Sequence, residues 1–424
     1  MPNFSIPLSG LTAESTALST IANNLANQNT TGYKDTRVLF SDLFYQNLGT
    51  TGAGDPVQLG AGATVGSMPS TFTQGSVNAT GVPTDVAIQG DGFFVVQQDG
   101  VTSYTRAGNF SVDENNFLVT SEGQDVLGYP AVNGVVNTGQ AISPVQLGAG
   151  TISPPTATGS VQIQTNLDAS ATVGGSDGTY STPVTIYDSL GTSHTLTFTF
   201  TKTAANSWTY QLSIPSTDLN PLPPPGGGTP VPQSGILASG TLTFDGNGNL
   251  TSPTANVTGI MATSLADGAN DLNFTWDLFN GTAPVITQVS APSSTSSTQQ
   301  DGASSGTLTN FSIGADGTIT GSFTNGKTAA LGQLALANFA NEEGLERIGN
   351  TDYSETLASG QAVIGTPGTG GRGTLAGGSL ELSNVDISTE FANLIVAQRA
   401  FEADAKAVTT FDQITQDTIN LKQS

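Results

Sequence analysis

Four groups of residues in this sequence have types and spacings that chemistry uses. Gly302-Ala303-Ser304-Ser305-Gly306 matches G-x-S-x-G, the turn that raises a nucleophilic serine between a strand and a helix. That serine needs a histidine downstream, and the one histidine of the chain, His194, lies upstream. Gly368-Thr369-Gly370-Gly371-Arg372-Gly373 matches the phosphate-cradling G-x-G-x-x-G, but no apolar helix follows at once and no βαβ unit surrounds it. Asp245, Asn247 and Asn249 open like a calcium loop, yet Leu250 and Asn256 stand where the loop demands Gly and Glu. His194 follows Ser193 between two β-like runs and reads as a turn or strand-edge residue. No nucleophile, base and orienting group can be assembled, so no catalytic, cofactor-binding or metal-ligating residues are expected, and the chain is not expected to be an enzyme.

Composition narrows the classes further. The absence of cysteine excludes disulfides, thiol catalysis and cysteine-ligated metal. With 33 Asp+Glu against 10 Lys+Arg, the net charge of -23 argues against a basic patch for nucleic acid or anionic membrane. No apolar run reaches the ~20 residues of a membrane-spanning helix. The first ten residues lack a basic n-region and an apolar h-region, so no cleaved secretory signal is expected.

A chain of 424 residues suggests several domains. Helical periodicity is strong only at its two ends. Leu8, Leu11, Leu18, Ile21, Ala22 and Leu25 predict a helix that stops in the polar stretch Asn27 to Gly32. Ile387, Phe391, Leu394, Phe401, Ala405 and Val408 predict a second, continued with a phase shift by Phe411, Ile414 and Leu421. No Gly or Pro interrupts Ser388 to Gln423, and Asp386 offers a capping oxygen at the start. Between the helices the sequence is β-like: Phe93-Phe94-Val95-Val96 is a short apolar run, and Thr195 to Phe200 alternates. Three segments, Phe110–Leu118, Leu242–Leu250 and Phe311–Ile319, place Asp, Asn or Gly between apolar alternations and predict hairpins.

Polar stretches at Thr151–Gly159 and Pro292–Gly306 read as linkers around a segment with one lysine, Lys202, and neither Arg nor Glu. A proline-glycine loop lies at Pro221–Pro232, and glycine-rich Gly49–Gly66 and Gly365–Gly378 read as hinges. The fold expected is mainly β with terminal α-helices. Residues 1–30 with 382–424 form a helical assembly domain, and 31–71 with 365–381 connect it. Residues 72–150 with 305–364 make a discontinuous β-domain, into which 151–304 is inserted as an outer β-domain. Off the main seam the second helix also carries Ile395, Val396 and Ala397, more apolar surface than a two-helix hairpin can bury. The expected function is therefore intermolecular packing. The assembly interface assigned on this basis is Leu8, Leu11, Leu18, Ile21 and Leu25 from the first helix, with Phe391, Leu394, Ile395, Phe401, Val408, Phe411 and Ile414 from the second.

The stretch Ala22-Asn23-Asn24-Leu25-Ala26-Asn27, followed by Thr31-Gly32-Tyr33-Lys34, resembles the N-terminal signature of the bacterial flagellar axial proteins of rod and hook. Leu382-Ser383-Asn384-Val385-Asp386 and Ile395-Val396-Ala397-Gln398-Arg399-Ala400-Phe401 agree at the other end. Gln89-Gly90-Asp91-Gly92-Phe93-Phe94 and Thr105-Arg106-Ala107-Gly108-Asn109-Phe110 are similar to both rod and hook sequences. Val184 to Gly191 and Gly332 to Phe339 resemble the hook branch. Ala22, Asn23, Asn24, Asn27, Gly32, Tyr33 and Lys34 are the motif residues. The resemblance implies identical subunits stacked into a curved hollow tube outside the cell, a universal joint that passes motor torque to the filament. It implies a coiled-coil-like inner layer of terminal helices with β-domains outward, and export through a type III apparatus without signal cleavage. The implied partners are the distal rod protein, the hook cap and the hook-filament junction protein, with no nucleic acid, membrane insertion or cofactor. A distal rod subunit carrying an insertion, or a secreted β-rich adhesin presenting exposed aromatics, are the other readings.

Overall fold

The computed structural model describes residues 5–147, 152–222 and 231–423. Residues 223–230 of the proline-glycine loop lie outside them, as does the expected domain boundary at 150/151. The chain divides into two units, 1–149 with 310–321 and 329–424, and 150–309 with 322–328.

In the first unit the two predicted helices are present as α1 (Ser5–Ala26) and α2 (Ile387–Gln423). The N–H groups of Ser388 and Thr389 both donate to Asp386 Oδ1 (2.8 and 3.0 Å), so the cap at the start of α2 is the one expected. Strand Phe93–Gln98 sits inside a sheet in the order Thr328–Leu334, Asp125–Val132, Phe93–Gln98, Val101–Thr105, Asp352–Ser354. Alternate side chains of a strand point to opposite faces. Phe94 and Val96 accordingly join a core with Val86, Ile88, Phe110 and Leu336, while Phe93 and Val95 join another with Tyr104, Phe339 and Tyr353. Burial on both faces is why this run is apolar without alternation.

The second unit holds two five-stranded sheets. One is ordered Thr179–Tyr187, Ser193–Ala204, Ser207–Ser213, Ile236–Phe244, Leu250–Ser252; the other contains Ser160–Asp168, Val257–Ala262, Leu272–Asp277, Ile286–Val289 and Ser294–Gln300. Inward-facing residues from both sheets share one core around Trp208 and Trp276, with Phe198 and Tyr210 against the Trp276 ring at 5.2 and 5.0 Å.

All three expected hairpins form, and the same device turns each. Asp113 Oδ1 accepts from the N–H of Asn115 and Phe117, Asp245 Oδ1 from Asn247 and Asn249, and Asp316 Oδ1 from Thr318. These bonds hold the Asp245 and Asp316 carboxyls below their usual range. The would-be calcium residues are thus a turn.

Four expectations need correction. Pro292–Gly306 is not a linker: Ser294–Gln300 is a strand, antiparallel to Ser160–Asp168. It has no apolar face because its hydroxyls bond instead, Thr295 to both Thr165 and Tyr180 at 3.0 Å. Gly49–Gly66 is mostly the returning half of a two-stranded arm, in which Gln46–Thr50 pairs with Pro56–Leu59 and Leu39–Asp42 with Ala63–Ser67. Gly365–Gly378 contains Thr374–Gly377, paired with Val86–Gln89, and Arg372 donates to the carbonyls of Val363 and Thr366. His194, finally, is buried inside strand Ser193–Ala204.

Candidate assembly site

The terminal helices pack on each other, and their direction follows from two contacts. Near the end of α1, the Asn24 amide lies beside the Glu390 carboxyl at the start of α2. Near the beginning of α1, Gly10 lies so close to the Asp404 carboxylate that a Cβ would collide with it. The pair is therefore antiparallel. The buried stripe of α1 is Ala13, Ala17, Thr20 and Asn24, spaced by four, three and four residues. On α2 the buried positions include Glu390 and Ala397. Small side chains at a helix contact set a short interaxial distance, and here they take the seam that apolar periodicity assigns to the large residues.

The large residues are displaced outward. Leu11, Leu18, Ile21 and Leu25 are half-buried, as are Leu394, Phe401, Val408 and Phe411; Leu8, Phe391, Ile395 and Ile414 are exposed. Val396 is 69% exposed, whereas Ala397, placed off the seam by its sequence position, is buried. Ile21, Val38, Phe40 and Val396 line a groove of about 280 Å³ together with Ala17 and Ala397. On the two-stranded arm Phe44 is 95% exposed, with Tyr45 and Leu48 exposed beside it.

Two carboxylates sit against this seam. Burial raises the Glu14 carboxyl above its ordinary value, and the charge of Asp404 adds to the rise. Burial also raises Glu390, partly offset by the neighbouring Asn24 amide and reinforced by Asp35.

The motif residues hold the end of α1 to the segment Tyr33 to Thr36 that follows it. Asn24 Nδ2 donates to the carbonyl of Thr36 (2.8 Å), and its Oδ1 accepts from the Thr36 N–H (3.1 Å) and the Tyr33 hydroxyl (3.1 Å). Asn23 Nδ2 donates to the same hydroxyl (3.2 Å), and Asn27 Nδ2 closes back onto the Asn23 carbonyl. Ala22 is exposed and makes no such tie. Gly32 has φ +67, and a Cβ there would stand 2.6 Å from the Ala107 nitrogen, so both backbone sign and space require glycine. Its N–H donates to the Glu381 carbonyl (2.9 Å).

Lys34 enters a fully buried ionic node. Its Nζ lies 2.6 Å from Glu381 Oε1 and donates to the Thr73 carbonyl (2.8 Å). Glu381 also accepts from the Gly75 N–H (2.9 Å) and contacts Arg106 Nη1 (3.4 Å). Arg106 Nε and Nη2 are buried without a hydrogen-bond partner, but its guanidinium lies 5.3 Å from the Phe93 ring centroid, where a cation is attracted by the ring face. Burial and the neighbouring Arg106 push the Lys34 pKa down, against the pull of Glu381. Three residues after Glu381, Asn384 repeats the tie, accepting from the Asp35 N–H and donating to the Thr71 carbonyl (both 2.8 Å). In the sequence Arg106 and Asn384 stand inside motifs without an evident role, and Glu381 escapes notice altogether. The signal available was one acidic residue immediately before a signature otherwise poor in charge.

The weak catalytic motifs do not assemble. Strand Gly306–Ile313 follows Ser304 and strand Thr374–Gly377 follows Gly373, so neither turn feeds a helix. Trp208 and Trp276 are wholly buried, which removes them as an adhesin's aromatic platform.

Family models match the chain in four places. "Flagella basal body rod protein" covers residues 6–34 and "Flagellar hook protein FlgE/F/G D1 domain" 87–172. "Flagellar basal body protein FlaE D2 domain" covers 158–303, and "Flagellar basal body rod FlgEFG protein C-terminal" covers 376–421. The flagellar hook protein FlgE of Escherichia coli is 35% identical over 434 residues, 99% of this chain and 100% of that protein. That of Salmonella typhimurium is 36% identical over 432 residues with the same coverage, and that of Treponema pallidum 35% over 462 residues, 98% of each. The chain belongs to the flagellar hook protein family. Among solved structures, that of Helicobacter pylori flagellar hook protein FlgE2 aligns with 70% of this chain and 98% of its own at 17% identity and a TM-score of 0.47. The N-terminal family match ends at Lys34 and the C-terminal match contains Glu381, so the two hook-family termini meet at the buried ion pair. Among the described residues no helix is long and apolar enough to cross a membrane.

Proposed function

We propose that this chain is the structural subunit of the flagellar hook, a self-assembling curved tube outside the cell that acts as a universal joint between motor and filament. The observation that carries the reading is the apolar surface left in water on the helix pair: Leu8, Phe391, Ile395 and Val396 are each about half exposed or more. Burying a large aliphatic or aromatic side chain contributes roughly 1.5–3 kcal/mol, so a handful per neighbour offsets much of the entropy lost on joining a polymer. The exposed two-stranded arm supports the same reading, since a lone hairpin is marginal in water and needs a covering surface.

On this reading residues 1–30 with 382–424 form the inner assembly layer, including the twelve large apolar residues assigned from the sequence, and 31–71 with 365–381 join it to the β-domains. Residues 72–150 with 305–364 and the inserted 151–304 face outward. The insert has no Arg or Glu and a single Lys. Contacts built from such Ser, Thr, Gly and Asn surfaces impose little preferred register, which suits subunits that slide as the tube bends. The subunit is exported through the flagellar type III apparatus without signal cleavage. Its partners are identical copies, the distal rod protein, the hook cap and the hook-filament junction protein, and it has no catalytic role.

Electron microscopy of sheared appendages labelled with an antibody to residues 160–290 tests the assignment. Label on a short curved segment is the expected result. Label confined to a straight rod, or spread over the cell surface, refutes it.

A further inference from the structure

We propose that Asp188, His194 and Asp267 form a divalent-metal site, with Asp218 orienting the histidine, that staples the two sheets of the second unit to each other. One donor atom from each of Asp188, His194 and Asp267 lies within 4.8 Å of the others. His194 Nδ1 is 3.0 Å from Asp218 Oδ2, and Nε2 is 3.1 Å from Asp188 Oδ2. A carboxylate accepts, and a neutral imidazole carries one proton and one lone pair. A neutral ring turns a lone pair toward one of the two carboxylates, and a doubly protonated ring that donates to both still leaves two negative charges among Asp188, Asp218 and Asp267, which a divalent cation would neutralise. Zinc at about 2.0–2.2 Å from nitrogen and oxygen donors accommodates such an edge. The outer carboxylate on the far ring nitrogen is the partner that metal-bound histidines use to fix tautomer and orientation.

Charge balance points the same way. Three carboxylates surround one imidazole, and Asp188 is fully buried. The unit holds no arginine and two lysines. Lys202 donates to the carbonyl of Ala169 (2.6 Å) and Lys327 to that of Asp301 (2.9 Å), so both are engaged elsewhere. Asp188 is also held in place, since its Oδ1 accepts from the N–H groups of Leu190 and Thr192 (2.8 and 2.9 Å). A single histidine rules out a histidine-rich site in the sequence, and the fold supplies the remaining donors as carboxylates. The mixed nitrogen and oxygen set suits zinc and its first-row neighbours, whereas calcium takes six to eight oxygens.

The donors come from separate elements. Asp188 follows strand Thr179–Tyr187 and His194 lies in strand Ser193–Ala204, both in one sheet. Asp267 lies in the turn between Val257–Ala262 and Leu272–Asp277 of the other sheet. An ion bound here ties the sheets together at one end of the sandwich.

The test uses the full chain, stripped with EDTA and titrated calorimetrically with zinc chloride and, in parallel, calcium chloride. The expected result is one zinc bound per chain in preference to calcium, with a rise in the melting transition reported by Trp208 and Trp276, which both lie in this unit. Cobalt chloride should give visible absorption bands at the same stoichiometry. Asp267→Asn removes an exposed ligand and keeps the fold, so it should abolish the stabilisation; Asp218→Asn should weaken zinc about 10–100-fold, as loss of an outer partner does. No saturable uptake of zinc overturns the proposal. So does uptake that Asp267→Asn leaves unchanged, which would mark loose binding to an acidic surface, or equal affinity for calcium.

Discussion

Replacing Glu381 by Gln should loosen the first unit more than any change on its surface. The substitution keeps the size and one acceptor oxygen, so the bond from the Gly75 N–H can persist, but it removes the only carboxylate bonded to Lys34 and Arg106 among the described residues. Each bond to a charged partner is worth about 1.5–3 kcal/mol, and the 3.4 Å contact to Arg106 lies at the weak end. Removing one partner of a buried pair costs about 3–5 kcal/mol, most of it the stranded opposite charge. For a domain of this size that corresponds to a fall of about 6–20 °C in melting temperature. The assay exploits the tryptophans, both of which lie in the second unit. Tryptophan emission follows that unit, while hydrogen exchange in peptides spanning 31–37 and 378–384 follows the node. The node peptides should lose protection and melt early. An apolar triple replacement, Lys34→Met with Arg106→Met and Glu381→Leu, should restore most of the loss, because a buried ionic cluster is often no more stabilising than well-packed apolar groups. Unchanged protection in Glu381→Gln would mean that Glu342, whose charge also acts on both cations, already balances them, and the reasoning would fail.

Three further outcomes follow from the helix pair and the insert. Ile395→Asp combined with Val396→Asp should leave monomer stability within about 0.5 kcal/mol, as exposed substitutions do, yet block sedimentable polymer; Leu394→Asp, at a half-buried position of α2, should instead lower helix-pair protection, and polymer formation by the double variant would exclude that face from assembly. Glu390 has a raised pKa in the fold, so its protonated form is favoured there: the associated stability is fully present below its unfolded value near 4.5 and is lost as pH climbs through the raised value. Exchange protection of α1, corrected for intrinsic rates, should therefore be higher at pH 5 than at pH 7, and Glu390→Gln should flatten its share of that difference. Replacing residues 157–302 with a short glycine joint should leave a folded, polymerising remainder of altered curvature, because Thr156 and Ala303 already exchange paired backbone bonds at 2.9 Å; inability to polymerise would show that the insert is part of the assembly element.

What the sequence makes legible follows a physical division. Periodicity, caps and turns are local, and they are readable at Asp386, at Phe93-Phe94-Val95-Val96 and at the Asp113, Asp245 and Asp316 hairpins. The seam of the helix pair is misread when large apolar residues are taken as the contact, although Ala13, Ala17 and Thr20 carry the same four-and-three spacing as the leucines beside them. Strand Ser294–Gln300 is invisible because its partners supply the pairing and its hydroxyls supply the bonds, leaving no hydrophobic signature. Glu381 and His194 share a different obstacle. A charged or titratable residue is usually solvated, and nothing local distinguishes the exception; burial arises from Lys34, 347 residues away, or from Asp188, Asp218 and Asp267 on separate loops.

The small-residue seam also explains how one helix pair serves two states. A pair built on leucine knobs would hide its large side chains in the monomer and have little to offer a neighbour. Here Ala17 and Ala397 make the intramolecular contact with little apolar area, and Ile395 and Val396 stay outside it. Such a pair is weak by itself, since most helical stability in proteins comes from packing of an apolar face. The ties at Asn24, Lys34 and Asn384 compensate by fixing the segment after α1 to the segment before α2 before assembly supplies the missing burial. Weakening those ties should harm the monomer first, whereas changing Ile395 or Val396 should harm only the polymer, and this separation is what the helix-pair reading stands on.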